Sequence, residues 1–242
     1  MARHNALFDY TMLRDESICY MQFNQCADAR TMRGESLPRF DTFLEEMFHA
    51  IDSLQIQTLV VDAQYNNGGN SMLCNELLSY LYPLHQLRFY RTYMRFSNLL
   101  ASYNPRIAVA QQTWEAEGHI DELYHIPAGQ MPELDRKIYK GNVVFIQSQK
   151  TYSSAGMLMT MVRDNHIGTI IGSKSSFSPS HYGEILPFRL PNTGIIGSIC
   201  CKYFERPDST CTDDEVLEPT KEIDTNDKEA LWQYITTTFG KR

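Results

Sequence analysis

Gly141-Asn142-Val143-Val144-Phe145-Ile146-Gln147-Ser148-Gln149-Lys150-Thr151-Tyr152-Ser153-Ser154-Ala155-Gly156 joins a strand pattern to a helix pattern, and the fold is read outward from this junction. The run Val143 to Ile146 is β-branched or aromatic throughout and follows a turn pair, as a buried strand does. Beyond it Ala155, Leu158, Met161 and Val162 recur at helical spacing until Asp164-Asn165-His166-Ile167-Gly168 supplies a stop. Ser153 or Ser154 therefore stands at a helix N-terminus, where unpaired backbone N–H groups and the macrodipole favour negative charge. Serine is also an ordinary N-cap, so chemistry needs a second stretch to support it.

That stretch is Thr58-Leu59-Val60-Val61-Asp62, an apolar strand running into Ala63-Gln64-Tyr65-Asn66-Asn67-Gly68-Gly69-Asn70-Ser71. Asn-Asn-Gly-Gly supplies positions that accept positive φ and lets backbone approach a ligand closely. It lacks the spaced glycines and Lys-Ser/Thr pair of a phosphate loop and the three glycines of a dinucleotide turn. It reads either as a tight strand-to-helix turn or as a loop whose N–H groups serve an oxyanion. A helix follows through Leu73, Leu77, Leu78 and Leu81, capped by Asn70 or Ser71.

Upstream, Ser17 to Phe23 reads as a strand, Cys26 to Leu37 as a polar loop, and Pro38 opens a helix. Its apolar face is Phe40, Phe43, Leu44, Met47, Phe48, Ile51 and Leu54. Strand, helix and strand in that order imply parallel pairing with a crossover. Downstream, Thr169-Ile170-Ile171-Gly172 is a short buried strand, and a polar loop runs from Ser173 to Glu184. Ile185 to Leu190 and Gly194 to Tyr203 form a hairpin, and Asp227 to Phe239 a closing helix. Residues 85–140 mix Arg88, Arg91 and Arg95 with aromatics and read as a helical insertion or lid within one domain spanning 1–242.

Of 242 residues, 43% are hydrophobic and 21% charged, enough for a sizeable core. The formal charge of -7 carries no basic stripe, which argues against nucleic acid as a partner, and no apolar run reaches the length of a membrane span. Met1 to Tyr10 shows no apolar signal-peptide core. Cys19, Cys26, Cys74, Cys200, Cys201 and Cys211 form no C-x-x-C pair and have no histidine at zinc spacing, so no metal is expected. Most of them read as core thiols.

Two strand-to-helix junctions, one glycine-rich and one serine-bearing, are what acyl transfer requires: a hydroxyl that attacks a carbonyl and backbone donors for the developing oxyanion. In these motifs the sequence resembles the tail-specific or C-terminal-processing serine peptidases, whose pattern is Asp-x-Arg-x-Asn-x-Gly-Gly after one strand and a Ser-Ala turn after a later one. Here the motifs are Asp62-Ala63-Gln64-Tyr65-Asn66-Asn67-Gly68-Gly69, Tyr152-Ser153-Ser154-Ala155-Gly156 and Ile170-Ile171-Gly172, with Glu218-Pro219 near the position of the last family motif. The resemblance covers about Ser17 to Glu222. It implies an α/β fold of the crotonase-like or ClpP-like kind, with short parallel strands, crossover helices and a C-terminal β region.

The resemblance further implies Ser154 as nucleophile, Gly68 and Ala155 N–H groups as the oxyanion hole, and Asn66 and Gly69 at the substrate. A peptide or protein substrate and no cofactor are implied, as is an extracytoplasmic location if the parent gene carries a signal peptide. The chain departs from the pattern at Gln64, where the family has Arg, and at Met157, where a Glu is frequent. Thr220 stands where an Asp would follow Glu218-Pro219. The dyad lysine of some members is replaced by Ser178 at about its position, with Lys174 too early, and the upstream histidine of other members lies outside this chain. His181, in the neighbouring loop, is the residue that fits a base near neutrality. The alternative is a peptide-binding member without its general base.

Overall fold

Two strands begin the chain, β1 (Phe8–Leu13) and β2 (Ile18–Phe23), paired antiparallel across a turn whose Ser17 takes a φ of 57°. After the loop comes α1 (Phe40–Ser53), burying Phe40, Leu44, Met47 and Ile51, the i, i+4 stripe expected from its sequence. Then follow β3 (Thr58–Asp62), α2 (Ser71–Leu81), β4 (Arg91–Met94), α3 (Asn98–Tyr103), α4 (Pro105–Ala116) and β5 (Tyr124–Ile126). The second half adds β6 (Asn142–Gln147), α5 (Ser154–Asp164), β7 (Thr169–Gly172), β8 (His181–Arg189), β9 (Ile196–Glu205), β10 (Lys221–Glu222) and α6 (Lys228–Phe239). This computed structural model describes residues 5–32, 37–129, 133–212 and 215–241, so part of the expected 26–37 loop lies outside the described residues.

The described chain divides into two units. The first comprises Met1–Arg88, Gln130–Pro179 and Thr210–Arg242, and holds a six-stranded sheet in the order β1-β2-β3-β6-β7-β10. From β2 onward every neighbouring pair is parallel, as the crossover helices require. The two faces follow from the strand period of two. Ile18, Tyr20, Val60, Val144, Ile146 and Ile171 meet Leu231 and Ile235 of α6, while Cys19, Met21, Leu59, Val61 and Phe145 are turned to the opposite side. Phe23 continues that side and stacks on Phe40 of α1 with centroids 5.0 Å apart. Being buried on both faces, the strands read as uninterrupted apolar runs, which is why β3, β6 and β7 are visible in the sequence.

The second unit comprises Phe89–Gly129 and Ser180–Ser209, with an antiparallel sheet in the order β5-β4-β9-β8 and the helices α3 and α4. Met94, Leu100, Leu186 and Cys201 form its core. Residues 85–140 thus carry the strands β4 and β5 as well as two helices. His181, expected in a loop, instead opens β8 opposite Phe204, and the hairpin runs further than expected at its open end, to His181 and Glu205, while at the turn it stops at Arg189 and Ile196. The expected opposition of adjacent cysteines on β9 is seen: Cys200 is exposed and Cys201 buried. Among the described residues no helix is long and apolar enough to cross a membrane.

One buried carboxylate organises the segment before α1. Asp28 accepts from the Arg30 amide at 2.9 Å, from Arg30 Nε at 2.7 Å and from the Phe40 amide at 3.1 Å, while Arg30 also grips Glu76 of α2 through both terminal nitrogens. Burial pushes the Asp28 carboxyl up, but the Arg30 side chain and the two amides together outweigh it and hold the group below the ordinary carboxylate range. Its folded pKa is depressed, so its contribution is present above the unfolded value near about 4 and is lost as pH falls through the folded value. Asp28→Ala should cost about 2–4 kcal/mol, since it leaves Arg30 and an α1 amide without their buried acceptor. Asp28→Asn should flatten the acid limb of stability. Denaturant titration across acidic pH checks both; a wild-type-like acid limb in Asp28→Asn would contradict the assignment.

Candidate active site

The ends of β3 and β6 are neighbouring C-terminal strand ends, and the loops that leave them are stitched together. Thr151 Oγ1 donates to the Ala63 carbonyl at 2.8 Å, the Tyr152 amide to the Asn66 carbonyl at 3.0 Å, and the Ser148 hydroxyl to the Gln64 carbonyl. These bonds put the glycine-rich loop directly against the first turn of α5. Glycine is required at the contact. A Cβ on Gly68 would lie 2.7 Å from Ser153 Cβ and 2.9 Å from the Ser154 amide nitrogen, and one on Gly69 would lie 2.3 Å from the Cys26 carbonyl. Their φ values of 102° and 136° are ones that other residues rarely adopt.

Ser154, the first residue of α5, is 5% exposed, and its Oγ donates to the Gly69 carbonyl at 2.7 Å. The preceding Ser153 takes φ 51° and ψ −126° and makes no side-chain cap bond, so it is a strained hinge rather than a cap. Such a conformation costs about 1–3 kcal/mol and persists only where the surroundings enforce it. The Gly68 N–H donates to Asn66 Oδ1 at 2.9 Å, and the Ala155 N–H to the Tyr152 carbonyl at 3.1 Å. Both sequence-expected oxyanion donors therefore have acceptors within the chain in this state. Asn66 is fully buried and anchored through Nδ2 to the Phe23 carbonyl at 3.0 Å.

Cys26 and Cys74, core thiols by their sequence, stand beneath the same loop. Cys74 Sγ lies 3.3 Å from the Ser154 carbonyl, Cys26 Sγ lies 3.5 Å from Asn66 Oδ1, and the two sulfurs are 3.6 Å apart. Lys228 is a second addition: its Nζ donates to Gln64 Oε1 at 2.9 Å, so α6 brings a cation to the position where the resemblance pattern has Arg. Beside it Tyr20 donates to Asp62 at 2.5 Å. No local pattern announces either contact, because the partners are far apart in sequence.

Ser154, Ala155, Asn66, Gly68 and Gly69 thus lie together in the first unit. His181 lies in the second, its ring stacked on Phe204 with centroids 5.1 Å apart and edge-on to Tyr90 at 5.7 Å. Lys174 pairs with Glu218 at 2.6 Å, and the hydrogen bond and charge of that carboxylate push the ammonium up. Ser178 Oγ donates to the Glu215 carbonyl at 3.0 Å. Among the described residues no group of three or more His, Cys, Asp or Glu side chains could hold a metal ion.

A parallel α/β sheet with a helix-opening serine packed on a Gly-Gly loop at adjoining strand ends defines an α/β class whose candidate site lies at the carboxyl ends of its strands. The family model for Peptidase family S41 matches residues 17–223, and the chain belongs to that family. Among solved structures it resembles mature CPAF, with a TM-score of 0.68 at 15% identity over 90% of this chain and 49% of that one. It also resembles the photosystem II D1 C-terminal processing protease, with a TM-score of 0.52 at 12% identity over 93% of this chain and 47% of that one. A lipoprotein from Streptococcus agalactiae matches with a TM-score of 0.56 at 14% identity over 95% of this chain and 69% of that one. The chain spans about half the length of the first two. At these identities the likeness concerns the fold alone. No curated protein matches the chain significantly in sequence.

Proposed function

We propose that the chain is the core of a serine-type peptidase that cleaves an extended peptide through an acyl-enzyme at Ser154. The observation that carries this reading is the Ser154 hydroxyl at the head of α5, seated 2.7 Å from the Gly69 carbonyl of a loop that only glycine can form. In the proposed reaction Ser154 Oγ attacks the peptide carbonyl and gives up its proton to a general base, for which His181 is the candidate. The protonated base then donates to the leaving amine, and water releases the acyl group by the same steps in reverse order. Gly68 and Ala155 N–H groups receive the oxyanion, exchanging Asn66 Oδ1 and the Tyr152 carbonyl for it, while Asn66 and Gly69 flank the substrate. Family membership supports a peptidase and a peptide or protein substrate.

A second reading, a peptide-binding member that does not turn over, is favoured by the internal acceptors on both proposed oxyanion donors. Peptide turnover by the purified chain, with and without an N-terminal segment from the parent gene, separates the two. Turnover under either condition supports the enzyme; binding without turnover under both supports the second reading. If His181 is the base, His181→Ala should lower kcat by roughly 10²- to 10⁴-fold. Peptide turnover left intact in that variant would remove His181 from the mechanism.

A further inference from the structure

Cys26 and Cys74 are not used by the proposed mechanism, yet they touch both of its halves. The Cys74 thiol donates to the carbonyl of Ser154 itself, at 3.3 Å. Cys26 contacts Asn66 Oδ1, the atom that holds the Gly68 N–H, and its backbone bridges the Gly-Gly loop, with the Cys26 amide on the Gly68 carbonyl at 3.1 Å and the Asn70 amide on the Cys26 carbonyl at 2.7 Å. The sulfurs stand 3.6 Å apart without a covalent bond between them. Cys26, Gly69 and Asn70 also form part of the wall of an open cleft of about 510 Å³, although Cys26 itself is fully buried. The hydrogen bond with Cys26, and then burial, push the Cys74 thiol well up.

We propose that Cys26 and Cys74 are an oxidative modification site: a peroxide closes them into a disulfide, and the closure silences Ser154. This rests on the peptidase reading only for its effect on activity. In the first step Cys26 sulfur displaces water from hydrogen peroxide and becomes a sulfenic acid. Cys74 sulfur then attacks that sulfur, a second water leaves, and two thiols have lost two electrons and two protons to one peroxide. The sulfurs must approach from 3.6 Å to the length of a disulfide, about 2 Å, which draws the Cys26 bridge and α2 together. Both thiol contacts, to Asn66 and to the Ser154 carbonyl, are lost in the process. A loop packed to within the reach of one Cβ cannot absorb that shift without moving the Gly68 donor.

The test uses the full chain carrying Cys200→Ser and Cys211→Ser, which removes the more accessible thiols. After hydrogen peroxide, a non-reducing digest should join the Cys26 and Cys74 peptides. Fluorophosphonate labelling of Ser154 should fall roughly 10²-fold or more, the scale set by loss of one oxyanion donor, and dithiothreitol should restore it. Adding Cys74→Ser, or Cys26→Ala if that variant folds poorly, should abolish both the linkage and the loss relative to its own untreated level. Amide exchange at residues 66–70, followed in parallel, should change on linkage whether or not Ser154 labels. If the reduced chain never labels while linkage and exchange behave as stated, the peptidase reading fails and this site stands. No linked peptide, or linkage with exchange unchanged, or linkage with labelling unchanged in a chain that labels, overturns it.

Discussion

Ser154→Ala should lower turnover of an extended peptide by roughly 10⁴- to 10⁶-fold while the chain stays folded, because the nucleophile of a covalent mechanism has no substitute and the remaining site supplies only binding and oxyanion stabilisation. The structure explains why the fold should tolerate the change. The hydroxyl makes one bond, to the Gly69 carbonyl, and its loss costs on the order of 1 kcal/mol. A small residue already sits beside it at Ala155, so no cavity of consequence opens. Steady-state kinetics paired with thermal unfolding check this. Turnover within tenfold of wild type, in a variant with an unchanged unfolding transition, would mean that Ser154 is not the nucleophile.

Gly68→Ala should be nearly as damaging, for a different reason. Its new Cβ would meet Ser153 Cβ at 2.7 Å, the Ser154 nitrogen at 2.9 Å and the Tyr152 carbonyl at 3.0 Å, and two of these three are backbone atoms that cannot rotate away. Either the Gly-Gly loop or the head of α5 must move, and both carry proposed oxyanion donors. We expect a loss of at least about 10²-fold in kcat and about 2–4 kcal/mol of stability. Gly118 is the internal control, since it has a φ of 96° but nothing within 4 Å of its added Cβ. Gly118→Ala should show only the conformational cost, about 1–2 kcal/mol. If both variants lose the same stability and neither loses activity, the close approach at Gly68 has no catalytic consequence.

The sequence carried the parallel core because that core is apolar on both faces. Thr58 to Asp62 and Thr169 to Gly172 coincide with β3 and β7, and the α1 stripe at Phe40, Leu44, Met47 and Ile51 is the buried face. What escaped was structure defined by pairing rather than by pattern. β1 is an edge strand with half-exposed Asp9 and Tyr10 and exposed Thr11, and β10 is two exposed residues held by the Ile171–Gly172 end of β7. His181 belongs to β8 because it pairs with Phe204, although Pro179 and Ser180 before it signal a turn; Glu184, with φ 55°, interrupts the alternation that would have revealed the strand.

The candidate site divides in the same way. Residues that are local to one junction, Ser154 with Ala155 and Asn66 with the Gly pair, were readable as motifs. Contacts that span the fold were not. Lys228 and Gln64 are 164 positions apart, and Cys26 and Cys74 are 48 apart, so only packing of α6 and α2 brings each pair together. The state of the donors was equally hidden: a motif names the Gly68 and Ala155 amides but cannot say that Asn66 and Tyr152 already hold them.

The central claim is that the hydroxyl at the head of α5 is a nucleophile. Reacting the folded chain with a fluorophosphonate and mapping the adduct by mass spectrometry tests it most directly. A single stoichiometric adduct on Ser154, absent from Ser154→Ala, is the predicted result. Labelling that survives in Ser154→Ala, or an adduct placed on Ser153 instead, would contradict it.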